Sequence, residues 1–423
     1  MSRLLRLMLA GAAWVAAAAP AEQPAATPAG GTLAGGARWA ADMPAQWNGT
    51  LLLFGRGYSP RAGEPETAPA AWKQALLDRG YALAASNYGA EGWALAEAVP
   101  AQRATVAAFA QVHGQPRRVI AWGQSMGGLV TTALAEEARP AVSGAIAFCP
   151  SIGGAVGMMN MALDGAFAFR TLVAPDAGID LVGVADDLAN ARRAQAALAA
   201  AMQTPEGRAR VALAGVLAGI PGWTRRDHPR PAEADAAAQV DEIAASFVAG
   251  AFLPRSDQER RAGGPFSWNT GVDYARQLAR SGRRVLVEAI YAKAGLNLAA
   301  DLARLAAAPR IAARPAAVAY MMAHYTPNAR PTVPLVAVQA IGDGATSPSL
   351  QRGYLEGASP RMARGLWLDA AGHCGMGKDT ALAALSYLER RLDSGRWPAR
   401  PAGTIAYAPA PMLRPCLRGR RCE

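Results

Sequence analysis

Short apolar runs alternate with longer amphipathic stretches in two separate parts of this chain. In the first part, TLLLFGRG (50–57), YALAASN (81–87), RVIAWG (118–123) and VSGAIAFC (142–149) read as buried strands. The helices between them are AAWKQALLDRG (70–80), residues 95–113 and residues 127–137. The pattern returns at PLVAVQAIGD (334–343), followed by a helix near 347–357, a strand at GLWLDA (365–370) and a helix over DTALAALSYLERRL (379–392). Strands apolar on both faces and separated by helices predict an α/β fold, a mostly parallel sheet covered by helices on both sides. Between the two parts, residues 151–331 are alanine-rich and helical in period, with breaks at GIPGW (219–223), HPRP (228–231) and GGPFSWNTG (263–271). The chain therefore divides into a core of residues 37–150 and 332–423, interrupted by a helical insertion over 151–331. The tail from Trp397 is Pro-rich and predicts irregular structure.

The N-terminus changes the picture. Arg3 and Arg6 precede an apolar run from Leu7 to Ala19, and Ala19-Pro20-Ala21 offers a small-residue cleavage site. Residues 1–21 thus read as a secretory signal peptide, and the expected location is secreted or periplasmic. Residues 22–36, rich in Ala, Pro and Gly, read as a flexible leader. No cysteine follows the apolar run and no later uncharged run is long enough to span a bilayer, so no stable membrane anchor is expected. The formal net charge of +11 rests almost wholly on arginine. The one dense basic run is RGRR at 418–421, without the interleaved aromatics of nucleic-acid binders, and nucleic acid is not an expected partner.

Candidate chemistry centres on GQSMG at 123–127. This G-x-S-x-G stands between a predicted strand and a predicted helix, where a sharp turn lifts the Ser125 hydroxyl clear of the sheet. The helix behind it offers oriented N–H groups to a developing oxyanion. A serine hydroxyl needs a general base. Of the four histidines, His113 falls at the opposite end of the sheet, and His228 and His324 fall in the insertion. His373, in LDAAGHCGMG, follows the last predicted strand at the same carboxyl edge as Ser125 and is the candidate base. Asp343, at the end of PLVAVQAIGD, is the candidate acid, and the chain order is then Ser125, Asp343, His373. Asp369 is its rival, standing within a strand only a few residues before His373.

With GQSMGG, the GDG turn at 342–344 and AGHCG at 371–375, the chain resembles the α/β-hydrolase superfamily, and in particular secreted bacterial serine esterases with a large cap. The resemblance covers roughly residues 37–150 and 332–395. It implies an α/β-hydrolase fold with residues 151–331 as a helical cap, Ser125 as nucleophile, Asp343 as acid and His373 as base. It also implies an oxyanion hole from the backbone N–H of Met126 and one from the loop after TLLLFGRGY, where Tyr58 is the candidate. Many relatives carry His-Gly in that loop; this chain has Arg56-Gly57. In the insertion, Met158, Met159, Met161, Trp223 and Trp268 are candidate pocket residues, although a helix core would use the same types.

The four cysteines, in an exported chain, predict disulfides. Cys416 and Cys422 are close enough in sequence to pair. The sheet order that the resemblance implies brings Cys149 and Cys374 to the carboxyl edge, where a bridge would tether the His373 loop; two buried free thiols are the alternative. Relatives of the tannase and feruloyl-esterase kind pair a cysteine beside the histidine with one beside the serine, a place that Gln124 occupies here.

The resulting expectation is a secreted serine hydrolase that cleaves a carboxylic ester, of a small molecule or a polymer, through an acyl-enzyme. It requires no cofactor and no metal, since no Cys/His cluster has ligand spacing. An exopeptidase or amidase, an acyltransferase, and a non-catalytic binding protein on the same scaffold remain as alternatives.

Overall fold

The computed structural model describes residues 29–422. The predicted signal peptide, and the leader as far as residue 28, lie outside the described residues. In chain order the elements are β1 (Ala29–Thr32), β2 (Arg38–Asp42), β3 (Thr50–Gly55), α1 (Ala70–Leu77), β4 (Ala82–Ser86), α2 (Leu95–His113), β5 (Arg118–Gln124), α3 (Met126–Ala135) and β6 (Gly144–Phe148). The insertion follows: α4 (Gly154–Leu172), α5 (Asp187–Ala201), α6 (Pro205–Leu217), α7 (Ala236–Ala251), α8 (Ser256–Ala262), α9 (Tyr274–Arg280), α10 (Arg284–Lys293), α11 (Leu298–Ala307) and α12 (Pro315–Tyr325). The chain then returns with β7 (Leu335–Gly342), α13 (Pro348–Gly357), β8 (Ala363–Ala371) and α14 (Lys378–Ser394).

The strands form one eight-stranded sheet in the order β1-β2-β4-β3-β5-β6-β7-β8. β4 to β8 pair in parallel, and β1 and β2 add on antiparallel at one edge. This is the α/β-hydrolase fold. Alternation along β5 shows why its strands read as continuous apolar runs. Ile120 and Trp122 face Trp72 of α1 and Leu385 and Leu388 of α14, while Val119 and Ala121 face Phe109 of α2 and Leu129 of α3. Both faces are dry along its buried stretch, so each of residues 119–123 must be apolar.

The leader is a correction. Its residues 29–32 are ordered as β1, paired with Arg38–Ala41 of β2, and Leu33 is buried beneath the hairpin. An edge strand made of Ala, Gly and Thr is held by backbone hydrogen bonds rather than by side-chain burial, so composition does not reveal it.

The insertion has a core of its own, built from Phe167 and Phe169 of α4, Leu213 and Leu217 of α6, Ile243 and Phe247 of α7, and Tyr291 of α10. α4 joins it to the sheet. Its first half, with Met158, Met159 and Met161, packs in the same cluster as Met126 and Leu129, while its second half enters the insertion core. The methionines are therefore core residues, fully or almost fully buried.

The irregular tail is anchored on the same helix. Arg414 is fully buried and holds Asp164 of α4 through bonds of 2.8 and 3.1 Å, and its second nitrogen donates to the Trp268 carbonyl at 3.1 Å. Burial pushes Asp164 up to about 6 against the pull of Arg414. Removing one partner of such a pair leaves a charge without compensation. Arg414→Met is expected to destabilise the protein by about 3–5 kcal/mol in urea unfolding, and adding Asp164→Leu to recover much of that loss. A single variant within about 1 kcal/mol of the parent, the ordinary range of a surface change, would show that the pair does not hold the tail.

Candidate active site

β5 ends at Gln124 and α3 begins at Met126, so Ser125 alone makes the turn, with φ 57° and ψ −120°. Positive φ is costly for a side chain other than glycine and persists where the surroundings enforce it. Here the Ser125 N–H donates to the Phe148 carbonyl at 3.0 Å, and the Ser125 carbonyl accepts from Gly128 at 3.0 Å and Ser151 at 3.1 Å. The flanking glycines answer a steric demand. A Cβ on Gly127 would land on the carbonyls of Gly55 and Arg56, and one on Gly123 would meet the backbone of Gly127.

The structure brings Ser125, His373 and Asp343 into one chain of hydrogen bonds. Ser125 Oγ lies 2.9 Å from His373 Nε2, and His373 Nδ1 lies 2.8 Å from Asp343 Oδ2. With the carboxylate taking the Nδ1 proton in its hydrogen bond, Nε2 is left as the acceptor that the serine proton requires. Asp343 is fully buried at the end of β7. Its Oδ1 accepts from the N–H groups of Ala345 and Thr346 at 3.0 and 2.9 Å, and Oδ2 accepts from Gln339 Nε2 at 3.0 Å. The Thr346 hydroxyl stands 2.9 Å from Oδ2 and 3.0 Å from the Cys149 carbonyl. Such a set of donors keeps the carboxylate oriented. Asp369 is elsewhere, exposed and 3.4 Å from Arg230.

Met126 opens α3, and its N–H is among those that a helix leaves without an internal partner. Gly57 passes close to Ser125, its Cβ position only 3.5 Å from the serine Cβ. Tyr58 follows it, partly exposed, with its ring 5.6 Å from that of Trp93. Arg56 is turned away: its guanidinium donates to the carbonyls of Gly57, Asn87 and Ala90 and lies over the Tyr88 ring. Burial lowers its pKa.

Cys149 and Cys374 form a disulfide, with Cα atoms 5.3 Å apart, and Cys416 and Cys422 form a second. Cys374 Sγ lies 3.4 Å from His373 Nε2. Cys149, Cys374 and His373 are the group with metal-ligand spacing among the described residues, but the two sulfurs are bonded to each other and offer no thiolate.

The insertion reaches the sheet edge on both flanks of Ser125. On one side Arg226 donates to the His373 carbonyl, and its side chain fills the space beside Gly372 and Gly375. On the other, Asp257 accepts from the Trp93 N–H at 2.8 Å, and the Pro254 carbonyl accepts from the Trp93 indole at 3.0 Å. Trp223 lines a cavity that includes Ile341 of β7. Trp268 does not line that cavity; it lies under Arg414, with its N–H bonded to Asn160, because its backbone is needed in the buried polar link. Thr346, Gln339 and Arg226 were not singled out in the sequence. Gln339 was the findable one, as the sole amide in an otherwise apolar strand.

Residues 95–227 match the family described as serine aminopeptidase, S33. The chain is similar to an o-phthalyl amidase of Xanthobacter agilis, 29% identical over 409 residues, which cover 87% of this chain and 88% of that protein. Among solved structures, an esterase from Aspergillus oryzae is 12% identical with a TM-score of 0.42, over 88% of this chain and 81% of that one. Feruloyl esterase B from the same organism is 13% identical with a TM-score of 0.41, over 86% of this chain and 78% of that one.

Proposed function

We propose that this chain, a hydrolase of the α/β-hydrolase superfamily, cleaves a carboxylic ester with Ser125 as nucleophile, His373 as general base and Asp343 as the group that orients it. The observation that carries the reading is the unbroken Ser125–His373–Asp343 chain of hydrogen bonds at a strained turn. In the mechanism, His373 Nε2 takes the serine proton as Oγ adds to the acyl carbon, and the oxyanion turns toward the Met126 N–H, with Tyr58 as the second candidate donor. Collapse expels the alcohol, which receives the proton from His373. Water, deprotonated by the same nitrogen, then adds to the acyl-enzyme, and collapse releases the acid as Ser125 Oγ takes the proton back from His373. Carbon–oxygen bonds are exchanged and protons are passed through His373 with no change of oxidation state, so no redox cofactor is called for.

An amide is the second reading. It is favoured by the likeness to an o-phthalyl amidase along most of both chains. The same steps serve, with His373 protonating a poorer leaving group. A panel of matched aryl esters and aryl amides tests the pair. An ester-only profile supports the first reading and amide turnover the second. Failure of a fluorophosphonate to label Ser125 would exclude both, leaving a binding protein on this scaffold.

The two disulfides fit an oxidising compartment, and we place the working protein outside the cytoplasm. Fractionation of the native host, with the protein recovered from the medium or periplasm, is the expected outcome.

A further inference from the structure

A cavity of about 330 Å³ lies between the 219–239 segment of the insertion, β7 and the irregular tail, and it is lined by groups that the proposed chemistry does not use. Its wall contains Arg283, largely buried. One guanidinium nitrogen donates to the Ile220 carbonyl, but Nη2 is buried and has no hydrogen-bond partner. No carboxylate among the described residues forms an ion pair with it. A buried cation without a counter-charge is costly, and burial draws Arg283 down to about 10. Trp223 and Tyr407 also line the cavity, giving it two aromatic side chains beside the unpaired cation.

The space in front of Nη2 is kept open by Gly222. A Cβ there would lie 3.0 Å from Nη2 and 2.5 Å from the Gln239 side-chain oxygen. The other lining charges do not neutralise the site. Arg230 is engaged with Asp369, and the Glu233 side chain is exposed at the rim without an ion pair to Arg283.

We propose that this cavity binds a small aromatic carboxylate, its anionic oxygens on Arg283 Nη2 and its ring between Trp223 and Tyr407. The site does not depend on the triad. The ligand is either the acid released at Ser125 or a separate small-molecule effector, and both present the same aryl-carboxylate chemistry to Arg283.

Calorimetric titration of benzoate and phthalate into the full chain tests it. Saturable binding is expected in the parent. Arg283→Met and Gly222→Ala are each expected to weaken it by about tenfold or more, the value of a charge-assisted hydrogen bond. Gly222→Ala keeps the charge and lies at a φ open to alanine, so it remains informative if Arg283→Met fails to fold. Repeating the titration on protein phosphonylated at Ser125 locates the ligand: binding kept places it in the cavity, and binding lost places it at Ser125 and overturns the proposal. Titrating the acid released from the best substrate alongside separates the sources: saturable binding of that acid, weakened by Arg283→Met, identifies the product, and binding of benzoate or phthalate without it identifies an effector. Absence of saturable binding in the parent, or equal affinity in the parent and Gly222→Ala, would overturn the proposal.

Discussion

Ser125→Ala is expected to lower turnover of the best ester or amide on the order of 10⁴- to 10⁶-fold, with unfolding unchanged. The hydroxyl is half-buried and its own bond is to His373 Nε2, so its loss removes chemistry rather than packing. His373→Ala should reach a similar floor, and the double variant should fall no further, because the two residues act in one proton transfer. Asp343→Asn is the more discriminating change. It keeps the shape of a fully buried side chain, but its amide offers a donor toward His373 Nδ1 and favours the tautomer in which Nε2 carries the proton. A large loss in kcat with little change in KM is expected, while Asp369→Asn, on an exposed ion pair, should be nearly silent. If Asp369→Asn proved crippling and Asp343→Asn harmless, the assignment of the acid would be wrong.

The reason Asp343 could be chosen from sequence is also the reason its support could not. A carboxylate ending a parallel strand sits at the edge where strand ends converge, so strand order and chain order together favour it over Asp369. The donors that hold it are different. Thr346 lies on the turn after β7, and its hydroxyl touches both Asp343 and the Cys149 carbonyl, a contact across 197 residues of chain that no local pattern encodes. The strands β3 to β7 were legible because burial on both faces makes them almost continuously apolar, and β8 through its apolar stretch at 366–368. β1 and β2 were not, since the antiparallel edge strand β1 and its neighbour β2 satisfy their backbone while leaving side chains half in water. The insertion showed its helical character through period and alanine content. Its attachment was hidden, because that depends on single polar residues: Arg226 at the His373 loop, Asp257 at Trp93, and Arg414 from the far end of the chain on α4.

The disulfide beside the base makes the second large prediction. Cys149 and Cys374 are separated by 225 residues and both adopt left-handed backbone, at φ 40° and 53°. The bridge joins the end of β6 to the loop that carries His373, and the Cys149 carbonyl also meets Thr346, which touches Asp343. Base and acid are thus fastened to the same point. Closing so long a loop restricts the unfolded chain, and loss of the bridge is expected to cost about 2–5 kcal/mol. The double variant Cys149→Ser with Cys374→Ser avoids leaving a free thiol. In assays cold enough to keep it folded, it should lose kcat by about tenfold or more, with KM largely kept, because a His373 loop free to drift spends less time in reach of Ser125. The matching control is Cys416→Ser with Cys422→Ser. That bridge spans a sequence separation of only 6 residues in the tail, so its removal should leave kcat unchanged and cost less stability. A parent-like kcat in the first variant would mean that hydrogen bonds alone hold the base. An equal loss in both would mean that general destabilisation, rather than placement of His373, lowers the rate.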